Sequence, residues 1–136
     1  MDNYKHSDIT EQVIKAFYKV YNVLGFGFLE KVYENALCIE LKKVGFDIEK
    51  QKPISVYYDG EQVGKYFADI VVNDVLILEL KAAKNLCKEH EYQLINYLRA
   101  TEMEVGLLLN FGESPQVKRK VFSNGELIYT NKNTAL

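Results

Sequence analysis

The chain has 136 residues, 48% of them hydrophobic and 26% charged, with a formal net charge of −2. This length suits one globular domain that can bury a core, and the balance is that of an ordinary soluble protein. The slight acidity predicts only modest, salt-sensitive affinity for a polyanion, resting on local basic surface rather than bulk charge.

The opening MDNYKHSDIT lacks the basic start and apolar centre of a signal peptide. The longest apolar run falls far short of the roughly 20 residues that cross a bilayer. A cytoplasmic protein with no membrane association is expected. Cys38 and Cys87 have no CxxC partner, which argues against a zinc knuckle and predicts two buried thiols rather than a disulfide.

In chain order, Ser7 or Asp8 is placed to cap a first helix with apolar positions Val13, Ile14, Phe17, Val20, Tyr21 and Leu24, stopped by Gly25. After the turn GFGF a second helix is predicted from Leu29 to Val44, with Leu29, Val32, Ala36, Leu37 and Leu41 on its apolar face and Gly45 as its stop. Three strand candidates follow, FDIEKQKPISVYY, QVGKYFADIVV and VLILELKA, separated by the turn signals YDGE and VND. KEHEYQLINYLRA reads as a third helix, and EVGLLLNF as a fully buried strand. The tail, with VKRKVF, SNGE and LIYT, reads as a small peripheral hairpin. The expected architecture is an α/β domain over residues 1–136, in the order helix, helix, three strands, helix, strand. Its strand–helix–strand unit should cross over right-handed, so that LILEL has a neighbour on each side and lies mid-sheet.

That placement makes the stretch ADIVVNDVLILELKAAK, residues 68–84, anomalous. Asp69, Glu79 and Lys81 sit where a buried sheet should carry no charge, and burying one costs several kcal/mol unless it is paired or bound to a metal. Glu79 and Lys81 are two residues apart and share a strand face. A plain reading is a strand-end ion pair within reach of water. The alternative brings Asp69 beside Glu79: two adjacent carboxylates repel, and a hard cation such as Mg²⁺ resolves the repulsion with oxygen ligands and retained waters. Lys81 would then orient or deprotonate a metal-bound water.

This alternative makes a demand on the turn. A two-residue Asn73-Asp74 hairpin would put Asp69 on the face opposite Glu79. Convergence needs either a three-residue loop, Asn73 to Val75, with Val72 opposite Leu76, or a bulge. Because Val75 suits a left-handed conformation poorly, a bulge near Ala68 and Asp69 is the favoured expectation.

Asp69 and the triplet Glu79-Leu80-Lys81 resemble the D…(D/E)xK signature of the PD-(D/E)XK phosphodiesterase superfamily, with Ala68 in place of the proline. Gly27, Glu30 and Tyr33 in GFLEKVYENAL spell G-x-x-E-x-x-Y. With ADIVV, ELKA, QLINYL and VGLLLNFG following in order, residues 10 to 122 resemble the GxxExxY protein family, a RecB-like branch of that superfamily.

The resemblance implies a nuclease that uses Mg²⁺ or Mn²⁺, with nucleic acid, DNA in particular, as substrate. It implies Asp69 and Glu79 as metal-binding carboxylates, the Leu80 carbonyl as a further ligand and Lys81 as the catalytic lysine. Glu30 is implied as a helix acid that helps hold the metal or its water. Gln93 and Tyr97 match a Q-x-x-x-Y motif that positions the site or the substrate. The competing class is a catalytically silent module that keeps the fold and binds a protein or nucleic acid. Monomer and homodimer are both open. His90 reads as a solvated helix-start histidine. The lysines Lys42, Lys43, Lys50 and Lys52 and the KRK of 118–120 read as solvated surface, with phosphate contact as the alternative.

Overall fold

A computed structural model describes residues 6–123 and 126–127. Its elements are α1 (Ser7–Leu24), α2 (Glu30–Val44), β1 (Ile48–Tyr58), β2 (Glu61–Val72), β3 (Leu76–Lys81), α3 (Lys88–Arg99), β4 (Val105–Phe111), β5 (Pro115–Ser123) and β6 (Glu126–Leu127). The strands lie side by side in chain order, β3 and β4 parallel and the other neighbours antiparallel. The expected mixed α/β architecture is therefore present, with β3 between β2 and β4.

Each face of the sheet has its own core. Val13, Phe17, Tyr33, Leu37 and Leu41 from α1 and α2 pack on Ile70, Leu78, Leu80 and Leu109. On the other face Leu94, Ile95, Tyr97 and Leu98 of α3 pack on Ala68, Val71, Ile77 and Leu108. With helices on both faces, β4 is buried along its whole length, which is why its sequence is apolar without alternation.

Local details depart from the expectations. No side chain caps α1; His6 stands at its N-cap with φ 59°, and Ser7 instead supplies the carbonyl that accepts the Thr10 hydroxyl at 3.0 Å. Leu29 lies outside α2, at its N-cap, so the buried face starts at Tyr33 and runs through Leu37 and Leu41, while Leu29 and Val32 are exposed. Cys38 is buried as expected, but Cys87 is exposed, at the N-cap of α3. β5 is an integral strand of the sheet, paired with β4 from Val105–Val121 to Phe111–Pro115, and it forms the first arm of the expected C-terminal hairpin. It turns back onto β6 through the Ser123–Glu126 pair, whereas Asn124, Gly125 and most of LIYT lie outside the described residues.

The turn between β2 and β3 is the three-residue loop, not the favoured bulge: Val72 pairs with Leu76, Val71 with Ile77 and Ile70 with Leu78. The objection to Val75 dissolves because Asn73 (φ 52°) and Asp74 (φ 58°) take the left-handed conformations. Asn73 is further fixed by reciprocal bonds: its N–H donates to the Asp47 carbonyl and its Oδ1 accepts the Asp47 N–H, both at 2.8 Å.

An irregularity near Asp69 exists as well. The β1–β2 pairing passes from Lys50–Ile70 to Lys52–Ala68 without a Gln51–Asp69 pair, and Gln51 is left-handed at φ 52°. Beyond this rung both strands change faces: Ile48 and Ile70 pack toward α1 and α2, Ile54 and Ala68 toward α3.

Candidate active site

The β2–β3 ladder stops at Ile70–Leu78, and carboxylates occupy the place of the next rung. The Asp69 N–H donates to Glu79 Oε2 at 3.0 Å, and the Leu80 N–H donates to Asp69 Oδ2 at 2.8 Å. In an extended strand a residue's N–H and C=O point the same way, so the Leu80 carbonyl also faces the Asp69 side. Asp69, Glu79 and the Leu80 main chain therefore meet at one point, as the odd register requires.

The electrostatics follow from burial. Glu79 is 4% exposed, and burial together with the neighbouring Asp69 pushes its carboxyl up to about 8. Asp69 is also raised, chiefly by burial, with Glu34 and Glu30 adding to it. Glu30, on the exposed first turn of α2, lies near enough for its charge to raise both carboxylates.

Glu34, one helical turn on, is a site residue that the sequence reading missed. It is buried, accepts from Lys31 Nζ at 3.4 Å and from Gln51 Nε2 at 3.1 Å, and has the larger effect on Asp69. Gln51 Nε2 also reaches Asp69 Oδ1 at 3.4 Å, so the left-handed residue bridges the second helix and the carboxylate pair. The i, i+4 spacing of Glu30 and Glu34 was the available signal.

Lys81 forms no ion pair among the described residues. Its Nζ donates to Gln93 Oε1 at 3.3 Å, and Gln93 Nε2 donates to the Tyr97 hydroxyl at 2.8 Å. An ammonium has no acceptor, so it fixes the amide with its oxygen toward Lys81 and its nitrogen toward Tyr97. Tyr97 is buried, and burial with the Glu79 charge raises its phenol. Gln93 and Tyr97 are thus linked to Lys81 by hydrogen bonds and are not a solvated helix edge.

Behind Lys81, the buried Asn110 accepts the Ala83 N–H and donates to the Ala83 carbonyl, both at 2.9 Å, which pins the chain leaving β3. His90 lies outside this network: its Nδ1 accepts the Cys87 N–H at 3.3 Å and so closes the start of α3. The other named lysines are mostly tied to surface partners: Lys43 to Glu40, Lys52 to Glu49 and Asp74, Lys50 to Asn35 and Lys120 to Glu91.

Gly27 and Tyr33 are structural. Gly27 holds φ 111°, which an L side chain rarely adopts. The buried Tyr33 hydroxyl donates to the Gly25 carbonyl at 2.7 Å and accepts the Phe28 N–H at 3.2 Å, while its ring stacks on Phe111. Together they hold the turn that delivers Glu30.

The model of the PD-(D/E)XK nuclease superfamily matches residues 7–121. The chain belongs to that superfamily. Among solved structures, the crystal structure of SSO0001 is similar over 86% of this chain at 20% identity, with a TM-score of 0.54. At that identity the likeness shows the fold alone, and the chain matches 59% of the length of SSO0001. No curated protein matches.

The superfamily is one of metal-dependent nucleases, and the residues present fit a divalent cation. Carboxylate and carbonyl oxygens are the hard donors that Mg²⁺ and Mn²⁺ take, and the charges of Glu34 and Glu30 on Asp69, and of Asp69 and Glu30 on Glu79, are a repulsion that a cation would relieve. Among the described residues no three Asp, Glu, His or Cys side chains already form a cage. Mg²⁺ does not need one, since it typically uses one or two carboxylates and keeps several waters. No described helix is long and apolar enough to cross a membrane.

Proposed function

We propose that this protein is a Mg²⁺- or Mn²⁺-dependent nuclease of the GxxExxY, RecB-like type, a single cytoplasmic domain that hydrolyses nucleic acid, DNA first among its substrates. The observation that carries the reading is the reciprocal Asp69–Glu79 arrangement, with the Lys81–Gln93–Tyr97 chain beside it.

In this reading Asp69, Glu79 and the Leu80 carbonyl would hold the cation, and Glu30, with Glu34 one turn on, would help hold it or its water. When bound, the cation polarises the scissile phosphate and lowers the pKa of a coordinated water. Lys81, whose charge acts on Glu79, would stabilise with its ammonium the charge developing on the phosphate oxygens. Gln93 and Tyr97 keep Lys81 pointed there. The Gly27 and Tyr33 turn, by fixing the start of α2, sets where Glu30 reaches, which supports assignment to the G-x-x-E-x-x-Y type.

The test is incubation of plasmid, linear duplex and single strands with the purified protein and Mg²⁺ or Mn²⁺, with chelator and Lys81→Ala as controls. Cleavage lost in both controls supports the reading. A folded protein that cleaves none of them would make it a silent nuclease-fold module.

A further inference from the structure

A groove of about 740 Å³ opens beside the site, between α3 and the outer half of the β1–β2 hairpin. Gln93 and Tyr97 line it, and the same two residues hold Lys81, so the groove and the site are continuous. Its hairpin wall carries Tyr66, half-exposed and with its ring 5.8 Å from that of Tyr97, and Tyr57, 64% exposed. Two residues before Tyr66 on the same strand, Gly64 pairs with Val56, and a Cβ there would meet the Tyr66 ring at 3.5 Å. Arg99 and Asn96 line the α3 wall, with Glu89 as the acidic member of the lining.

We infer that this groove holds an unpaired nucleotide strand next to the scissile phosphate, with a base stacked on Tyr66. The inference rests on the nuclease reading of the adjoining site. A base inside a duplex has both faces covered by its neighbours, whereas an unpaired base can lie on an aromatic ring. The lining is aromatic and polar with one basic residue, so its affinity comes from stacking and base-edge hydrogen bonds rather than from many phosphate contacts. That agrees with a net acidic chain, and it predicts a shallow salt dependence, a log–log slope of about −0.7 for each phosphate neutralised.

The experiment is fluorescence anisotropy in chelator, with a short labelled single strand and a blunt duplex of the same sequence. The single strand should bind about tenfold more tightly, and Tyr66→Ala should weaken it about fivefold or more while Tyr66→Phe retains it. Gly64→Leu is a second variant: the position has no left-handed φ, and its side chain would press on the Tyr66 ring and displace the stacking face. It should also lose single-strand binding. The chain has no tryptophan, so Tyr66→Trp gives a single reporter that the single strand should quench and the duplex should not. Equal or tighter duplex binding, or Tyr66→Ala binding like wild type, overturns the inference even if metal-dependent cleavage is observed. Single-strand binding with quenching but no cleavage of any substrate upholds the groove and overturns the nuclease reading.

Discussion

Asp69 and Glu79 each accept a backbone N–H from the other's strand, so the carboxylate pair itself closes the gap where β2 and β3 part. The carboxylates therefore do two jobs, and substitutions separate them. Glu79→Ala leaves the Asp69 N–H without its partner, at a cost of about 1–3 kcal/mol, besides the cavity. Glu79→Gln keeps an acceptor oxygen and removes the charge. We expect Glu79→Gln to match or exceed wild type in melting temperature without metal, and Glu79→Ala to fall below it. Both should lose the shift produced by Mn²⁺. Thermal scans with and without metal check this.

The pH dependence follows from Glu79. Its folded pKa of about 8 lies above the ordinary 4.5, so the folded state holds a proton that the unfolded state has released. Its stabilising contribution is complete below about pH 4.5 and is lost as pH rises through 8. Metal-free protein should lose stability over that window, by less in Glu79→Gln. Metal binding displaces the same proton, so Mn²⁺ affinity should rise with pH and level off above 8. Titrations at a series of pH values test both signs, and an affinity independent of pH would contradict them.

Gln93 acts on Lys81 by position. Gln93→Leu should leave metal affinity unchanged and reduce kcat by about tenfold to a hundredfold, the cost of a misplaced catalytic group. Tyr97→Phe, which removes only the hydroxyl that accepts from Gln93, should have a smaller effect in the same direction. Single-turnover rates at saturating Mn²⁺ are the measurement.

Gly112→Ala probes the chain behind Lys81. A Cβ at Gly112 would fall on the Ala83 carbonyl, which is itself bound by Asn110. The chain leaving β3 must shift, and we expect a lower melting temperature together with a lower cleavage rate. A variant with normal stability and rate would show that this segment does not position Lys81.

Much of this was legible in the sequence because periodicity reports burial. The apolar runs of β3 and β4 and the three- and four-residue spacing of α1 mark their elements directly, and the same-face spacing of Glu79 and Lys81 pointed to the site. The misses share one cause, a choice made by tertiary contacts. Asn73 takes a left-handed conformation while bonded to Asp47, a partner 26 residues away that no local rule reveals. Gln51 reads as one more polar strand residue until its positive φ turns it toward Glu34 and Asp69. Glu34 reads as a surface helix acid because its burial depends on where α2 crosses the sheet. The apolar face of α2 was misplaced because Leu29 lies before the helix begins.

The central claim, that Asp69 and Glu79 form a divalent-metal site, is tested most directly by isothermal titration of the metal-free protein with Mn²⁺ at a pH above 8, beside Asp69→Asn and Glu79→Gln. The account predicts binding at one principal site in wild type and its loss in both variants, with folding intact by circular dichroism. No binding in wild type at millimolar Mn²⁺, or the same binding in all three proteins, would contradict it.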